Sequence, residues 1–139
     1  MTTQAISSQL SEFRVGNGAS PEVFTSICDI VDINGPNETA DPLEASSLCS
    51  TSKEFVGGLR DGGEITLQLN LAPTNPNHLQ FQTDLGAAIT RNYQIALPDS
   101  PSTLIDFAAF VTAFGPSLAT NTLATAAVTL KVTGDVVYS

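Results

Sequence analysis

The side chains that could perform chemistry are few, and their spacing argues against catalysis. His78 is the only histidine, so a Ser-His-Asp or Cys-His mechanism would have to use it. It follows Asn75-Pro76-Asn77 in a polar stretch, and we expect a solvated residue in the first turn of a helix. Cys28 and Cys49 have no histidine or second cysteine at metal-ligand spacing. The sequence therefore predicts no enzyme, no metal site and no cofactor.

A glycine-rich run, residues 57–63, is the other candidate for ligand binding. A phosphate-binding loop needs a Lys followed by Ser or Thr and then a helix, whereas this run leads into an alternating, strand-like segment. We therefore interpret the paired glycines as positive-φ turn residues at the end of a loop.

The charge balance excludes further classes of function. The net charge is −9 with a pI near 4.1, which argues against nucleic-acid binding and against docking on anionic membranes. Charged residues make up only 14% of the chain, below the usual value of about 25%. A neutral polar exterior indicates a surface that partners cover. The first ten residues lack the basic start and apolar run of a secretory signal, so we expect a cytoplasmic protein with two free thiols, Cys28 in a strand and Cys49 in a loop.

Apolar residues alternate over several short segments, which predicts a mainly β (α+β) protein. Residues 1–12 show no periodicity and are predicted to be a flexible arm, followed by a single domain over 13–139. A helix is expected over about 76–89, with Asn75 as N-cap, Pro76 in its first turn, and an apolar face of Phe81, Leu85, Ala88 and Ile89. The order of elements favours an antiparallel β-sandwich or barrel-like fold with one flanking helix. Strands are predicted over 13–18, 22–33, 64–71, 93–97, 105–114 and 128–138, and Phe110 and Phe114 predict that the fifth is covered on both faces.

The segment 34–63 has no strong period and is predicted to be one long loop. Loops of this length are uncommon in compact domains and are usually functional or disordered. Five large apolar residues interrupt it, which predicts that the loop docks on a partner: Leu43, Leu48, Phe55, Val56 and Leu59.

Several segments resemble the major tail tube proteins of lambda-like siphophages. The resemblance lies in the junction 53–67, Lys-Glu-Phe-Val-Gly-Gly-Leu-Arg-Asp-Gly-Gly-Glu-Ile-Thr-Leu, which follows the Ser/Thr-rich loop 46–52. It continues through Leu71–Asn75, Tyr93–Asp99 and Leu130–Asp135, and it covers residues 20–135.

The resemblance implies a structural protein of the phage virion tail that self-assembles into rings, commonly hexameric, stacked into a tube. The implied partners are further copies, the tape measure protein, and the tail terminator and tail tip proteins, with assembly in the host cytoplasm and no membrane. DNA would pass through the lumen without specific binding. The ring-stacking residues would be Leu43, Leu48, Lys53, Glu54, Phe55, Val56, Leu59, Arg60 and Asp61, and the lumen-facing residues Thr66, Gln68 and Asn70.

Two other interpretations remain open at the level of sequence. A tube protein of a secretion system or gene transfer agent would share the same ring-forming physics. A non-catalytic β-sandwich binding module is less favoured, because the chain has no Trp and only two Tyr for a sugar-binding surface.

Overall fold

The computed structural model describes residues 3–7 and 9–139, which form nine strands and one helix. The elements are β1 (Glu12–Gly16), β2 (Phe24–Ser26), β3 (Ile30–Asn34), β4 (Thr39–Glu44), β5 (Phe55–Asp61), β6 (Glu64–Asn70), α1 (Pro76–Ala87), β7 (Thr90–Ala96), β8 (Leu104–Ser117) and β9 (Thr125–Tyr138). Seven strands form one sheet in the order β2-β1-β7-β8-β9-β6-β3, and β4 pairs with β5. All these pairings are antiparallel, which confirms the predicted fold class.

The sheet is curled, because its two edge strands are neighbours in the chain. Only Ile27, Cys28 and Asp29 separate β2 from β3, and three residues span at most about 10 Å. Ile27 N–H donates to the Phe13 carbonyl of β1 (2.9 Å), and Asn70 N–H of β6 donates to the Asp29 carbonyl (2.8 Å). We call residues 27–29 the seam. The prediction of one strand over 22–33 was wrong, and Cys28 lies in the seam rather than in a strand.

The side chain of His78 is hydrogen-bonded to the backbone of the seam. Its side chain is fully buried, its Nε2 donates to the Cys28 carbonyl (2.7 Å), and its Nδ1 accepts from the Ala72 N–H (3.0 Å). One neutral tautomer satisfies both bonds. The prediction of a solvated His78 was wrong, because the ring joins the start of α1 to the seam and to the loop after β6.

The core fills the inside of the curled sheet. In one half, Phe13, Tyr93 and Phe107 contact each other, with ring centroids 5.4 Å apart for Phe13 and Tyr93 and 6.0 Å for Tyr93 and Phe107. Burial raises the pKa of Tyr93 above its usual value. The other half contains fully buried residues of β6 and β9, as the alternation predicted: Ile65, Leu67, Leu69, Val128 and Leu130.

Helix α1 packs through a different face from the one predicted. Its N-cap is Asn75, whose side chain accepts from Asn77 N–H (3.0 Å), with Pro76 in the first turn, as predicted. The buried residues are His78, Phe81 and Asp84, while Leu85 and Ile89 are each 37% exposed and Ala88 is also exposed.

A charge pair accounts for that orientation of the helix. The buried Asp84 carboxylate accepts two bonds from Arg91 of β7, from Nε at 2.7 Å and Nη2 at 3.0 Å. The hydrogen bond to Asp84 raises the pKa of Arg91. The pair therefore turns the stripe of His78, Phe81 and Asp84 toward the sheet.

Strand β8 changes its alternation midway. Its register with β9 shifts between Val111 and Ala113, so that Phe114 packs against the core while Ala113 is exposed. Phe110 stays on the outer face and is only half-buried. The prediction that both faces are covered was therefore wrong, and the strand also continues through Gly115-Pro116 to Ser117.

The segment 34–63 contains regular structure that its sequence pattern did not reveal. Strands β4 and β5 pair antiparallel over 39–44 and 55–61, leaving a turn over 45–54. Every residue of both strands except Gly58 is exposed, so no buried face imposes an alternating pattern. The predicted loop is a β-hairpin.

Replacing His78 tests the seam. His78→Leu removes the side-chain partner of the Cys28 carbonyl and of the Ala72 N–H, which form part-buried hydrogen bonds, and we expect a loss of about 1 kcal/mol for each group. His78→Gln retains a donor and an acceptor and should lose clearly less. Urea unfolding of the free chain measures both; equal losses would contradict this role.

Removing Arg91 tests the charge pair that orients α1. Because it leaves the Asp84 carboxylate buried and unpaired, we expect Arg91→Ala to lower the free energy of unfolding by about 3 kcal/mol. Arg60→Ala is the matched control, since Arg60 contacts Asp135 at 3.5 Å with both side chains more than half exposed. Its loss should stay below about 1 kcal/mol. A similar loss for both variants in thermal or urea unfolding would refute this assignment.

Candidate functional site

The β4–β5 hairpin (residues 39–61) brings the nine predicted ring-stacking residues into one structure. Leu43 lies in β4, Leu48, Lys53 and Glu54 lie in the turn, and the other five lie in β5. All nine are exposed, and the large apolar ones have exposed fractions of 54% for Leu43, 107% for Leu48, 56% for Phe55, 53% for Val56 and 93% for Leu59. A concentration of apolar side chains this exposed indicates a surface that another molecule covers.

The hairpin presents apolar side chains on both faces. Leu43 is paired with Val56, so these two share one face, while Phe55, the residue before Val56, lies on the other. The register shifts between Ala40 and Pro42, so the alternation of β5 does not extend unchanged to Leu59. A two-stranded hairpin without a packed face is marginally stable in water. Packing of another molecule against both faces would therefore stabilise the hairpin.

Serine hydroxyls organise the turn of the hairpin. Ser46 Oγ accepts from the Glu54 N–H (2.8 Å), and Ser50 Oγ accepts from the Ser47 N–H (2.9 Å) and donates to the Glu54 carboxylate (3.1 Å). These local hydrogen bonds give polar groups of the turn their partners and require no apolar packing. Leu48 thus projects from a polar turn.

Two ion pairs join the hairpin to β9. Lys131 Nζ lies 2.9 Å from Asp61 Oδ1, and Arg60 lies 3.5 Å from Asp135. The hydrogen bond from Lys131, assisted by the Gly63 N–H and by the charge of Lys131, lowers the pKa of Asp61. These contacts fix where the hairpin leaves the sheet.

The glycines at the base of the hairpin serve close packing more than turn formation. A Cβ on Gly62 would lie 2.4 Å from Val132 Cγ1, and a Cβ on Gly63 would lie 2.1 Å from the Asn37 carbonyl oxygen. Within the run 57–63 a positive φ occurs at Gly63 alone. The expectation of several positive-φ glycines was therefore wrong.

The predicted lumen residues lie on the outer face of the sheet, away from the core. Thr66 and Gln68 are exposed and Asn70 is half-buried. Across the ladder they are paired with Thr129, Ala127 and Thr125 of β9. Hydroxyl, amide and methyl groups therefore make up most of this face, which also carries Asp32 of β3 opposite Gln68 and the cross-strand pair of Glu64 and Lys131.

Both ends of the seven-stranded sheet are open edges. Strand β2 has three residues and β3 has five, and each pairs on one side only within residues 3–7 and 9–139. Beside β3 lies a cleft of about 670 Å³, whose apolar lining includes Ile33, Ile95, Leu97 and Ile105. Unpaired backbone groups along such edges are templates for pairing with another chain.

Both ring nitrogens of His78 are hydrogen-bonded to backbone groups, so neither is free to exchange a proton with a ligand. Among the described residues, no three His, Cys, Asp or Glu side chains are grouped so that they could hold a metal ion. In the same part of the chain, no helix has the length and apolar character needed to cross a membrane.

One exposed apolar surface escaped the sequence analysis. The loop between β8 and β9 carries Leu118 and Leu123, which are 74% and 71% exposed. A signal was available in the sequence, because residues 107–130 contain no charged side chain. Such a run at a strand connection is unusual for a solvated turn.

Comparison with solved structures places the fold among tail and tube proteins. A chain in the virion of a native gene transfer agent particle is 14% identical with a TM-score of 0.76, covering 97% of this chain and 99% of that one. A chain in the tail of the empty gene transfer agent particle, refined with C6 symmetry, is 14% identical with a TM-score of 0.71, covering 91% of this chain and 95% of that one. A chain of the PVC sheath-tube complex, an extracellular contractile injection system, is 16% identical with a TM-score of 0.74, covering 98% of this chain and 92% of that one.

Comparison at the level of sequence identifies the family. Structural protein 3 of Pseudomonas phage PAJU2 is 21% identical, with 76% of this chain and 77% of that protein covered. The family model "Phage tail tube, TTP, lambda-like" matches residues 4–88, which is more than half of the chain. This confirms the resemblance noted from the sequence. The chain belongs to the lambda-like phage tail tube family and is a structural protein of the tail tube.

Proposed function

We propose that copies of this chain associate into six-membered rings that stack into the tail tube, with the β4–β5 hairpin of one ring docking on the next. The observation that carries this proposal is the hairpin itself, whose five large apolar side chains are exposed on two faces and at the turn. Burying one such side chain contributes about 1.5–3 kcal/mol. A tube supplies the partner surface that the single chain lacks.

Ring closure uses the edges of the sheet. Joining β2 of one copy to the β3 side of the next would remove both open edges, as in a closed barrel. The number six is supported by the C6 symmetry of the gene transfer agent tail that shares this fold. Short edge strands suit this purpose, since a lone copy then offers few groups for misdirected pairing.

The lumen is lined, in this proposal, by the outer face that carries Thr66, Gln68 and Asn70. DNA binds strongly to surfaces that offer many Lys and Arg side chains, because each phosphate contact releases counterions. This face is mostly hydroxyl and amide groups, its Asp32 lies beside Gln68, and its Lys131 is already paired with Asp61, so in a chain of net charge −9 it lets DNA pass without being held.

The role is structural, and we propose no catalysis. Membership of a structural family supports this, as does the occupation of both His78 ring nitrogens by backbone groups. The further partners are the tape measure protein inside the growing tube and terminator and tip proteins at its ends, with assembly in the host cytoplasm. A tube terminator and a baseplate occur among the solved assemblies that contain this fold, which supports end partners of this kind.

A tube in a gene transfer agent or a contractile injection system is the second candidate, and the shared fold favours it. The same rings would then serve a different particle. The lambda-like family match favours the phage tail, and a sheath gene next to the coding sequence would favour the contractile system.

Electron microscopy of purified, concentrated protein tests the proposal directly. We expect hollow filaments of stacked rings with sixfold end views. A chain that stays monomeric at every concentration would refute it.

Phe55 separates assembly from folding. Because its side chain is 56% exposed in the single chain, Phe55→Ala should change the free energy of unfolding by less than about 1 kcal/mol. The concentration needed for tube formation should rise about tenfold, since the substitution removes apolar area buried on docking. Phe55→Leu keeps most of that area and is the matched control. Sedimentation measures tube formation, and normal assembly of Phe55→Ala would exclude Phe55 from the contact.

Gln68 tests the lumen assignment. Gln68→Lys would add one cation per copy to the wall, and we expect slower DNA ejection because each ammonium attracts phosphate. Gln68→Glu, of similar size, should leave the rate near that of the parent. Single-particle ejection measurements on tails of normal length decide this, and an unchanged rate in Gln68→Lys would place this face outside the lumen.

A further inference from the structure

A second apolar surface lies in the loop between β8 and β9, residues 118–124, which we call the β8–β9 loop. Leu118 and Leu123 are 74% and 71% exposed. The run from 107 to 130 contains no charged residue, in a chain with a net charge of −9. The side chains of the β8–β9 loop are therefore all neutral, and two of them are large and apolar.

The β8–β9 loop and the hairpin lie at opposite ends of the same strand. The hairpin base precedes Glu64, the first residue of β6, whereas Asn70 at the other end of β6 is paired with Thr125 of β9. Leu71 N–H donates to the Ala124 carbonyl (2.8 Å), which fixes the loop at that end. The six steps from Glu64 to Asn70, at about 3.4 Å each, separate the two ends by about 20 Å.

Resting on the proposed function, we propose that the β8–β9 loop is the surface of the adjacent ring that receives the β4–β5 hairpin. Head-to-tail stacking needs two unlike surfaces at opposite ends of each copy, so that every contact leaves a fresh surface for the next. The hairpin and the loop have that arrangement, and both remain exposed in the single chain.

Charge distinguishes this loop from two other exposed apolar positions, Val23 and Val31. The hairpin carries four acidic and two basic residues, so an acidic receiving surface would repel it. Exposed Val23 follows Glu22, and exposed Val31 precedes Asp32. The β8–β9 loop itself carries no charged side chain, and the acidic residue that the strand pairing places nearest to it is Asp29, on the far side of Asn70.

Cross-linking through Cys49 tests the proposed contact between the hairpin and the β8–β9 loop. Cys49 is exposed in the hairpin turn beside Leu48. In a Cys28→Ser background, which keeps the Cys28 backbone carbonyl that His78 uses, Thr120→Cys adds one thiol in the loop. A short bis-maleimide then joins thiols that lie close together in assembled tubes. Because each copy has one thiol at each end, we expect a ladder of covalent multimers.

Ser102→Cys in the same background is the matched control. Ser102 is exposed and lies in the turn between β7 and β8, outside the β8–β9 loop. Its tubes should give no ladder. Tubes of Thr120→Cys without a ladder, or equal ladders from both variants, would overturn the inference.

A pair of substitutions at Leu118 gives an independent readout. Leu118→Asp and Leu118→Lys both remove the leucine, but only the first adds a charge that repels the acidic hairpin. We expect Leu118→Asp to raise the concentration for tube formation about tenfold more than Leu118→Lys does. Equal effects would contradict the contact. If the parent chain forms no tubes at all, the proposed function fails and this inference fails with it.

Discussion

The hydrogen bonds of one buried histidine determine how the sheet closes. The chain leaves one edge of a seven-stranded sheet at β2 and enters the opposite edge at β3 within three residues. Such a crossing leaves backbone groups without ladder partners, and an unpaired buried group is costly. His78 supplies the partner for the Cys28 carbonyl and anchors α1 at the same time. That contact joins the start of α1 to the place where the two edge strands of the curled sheet meet.

The chain consists of a packed part and an unpacked part. The packed part is the curled seven-stranded sheet with α1, which we call the barrel, and the unpacked part is the β4–β5 hairpin. The inner face of the curled sheet is completed within one chain, with Ile65, Leu67 and Leu130 fully buried. The hairpin has no second layer to pack on among residues 3–7 and 9–139, and two ion pairs at its base, Asp61–Lys131 and Arg60–Asp135, join it to β9. The barrel can therefore fold alone, whereas the hairpin gains a packed environment only from other copies in the proposed tube.

Much of the barrel could be predicted from the sequence, because burial on one face imposes a pattern. The alternation at Ile65, Leu67 and Leu69 and the Asn75-Pro76 start of α1 are of this kind. The hairpin was missed as regular structure because an exposed strand needs no alternation. His78 and Asp84 were missed for a different reason. Each is a polar residue buried by partners distant in sequence, the Cys28 carbonyl and Arg91, and no local pattern records such a partner.

The marginal stability of a hairpin that is apolar on both faces has a kinetic consequence for growth. Two free copies would each have to order a hairpin before gaining any contact, and the lost chain entropy makes the first ring-to-ring encounter slow. In the proposed stacking, a tube end would display a complete circle of receiving sites, so each arriving copy would recover its ordering cost at once. Elongation from a nucleus would then outpace spontaneous initiation, and unassembled subunits would persist until a template starts polymerisation.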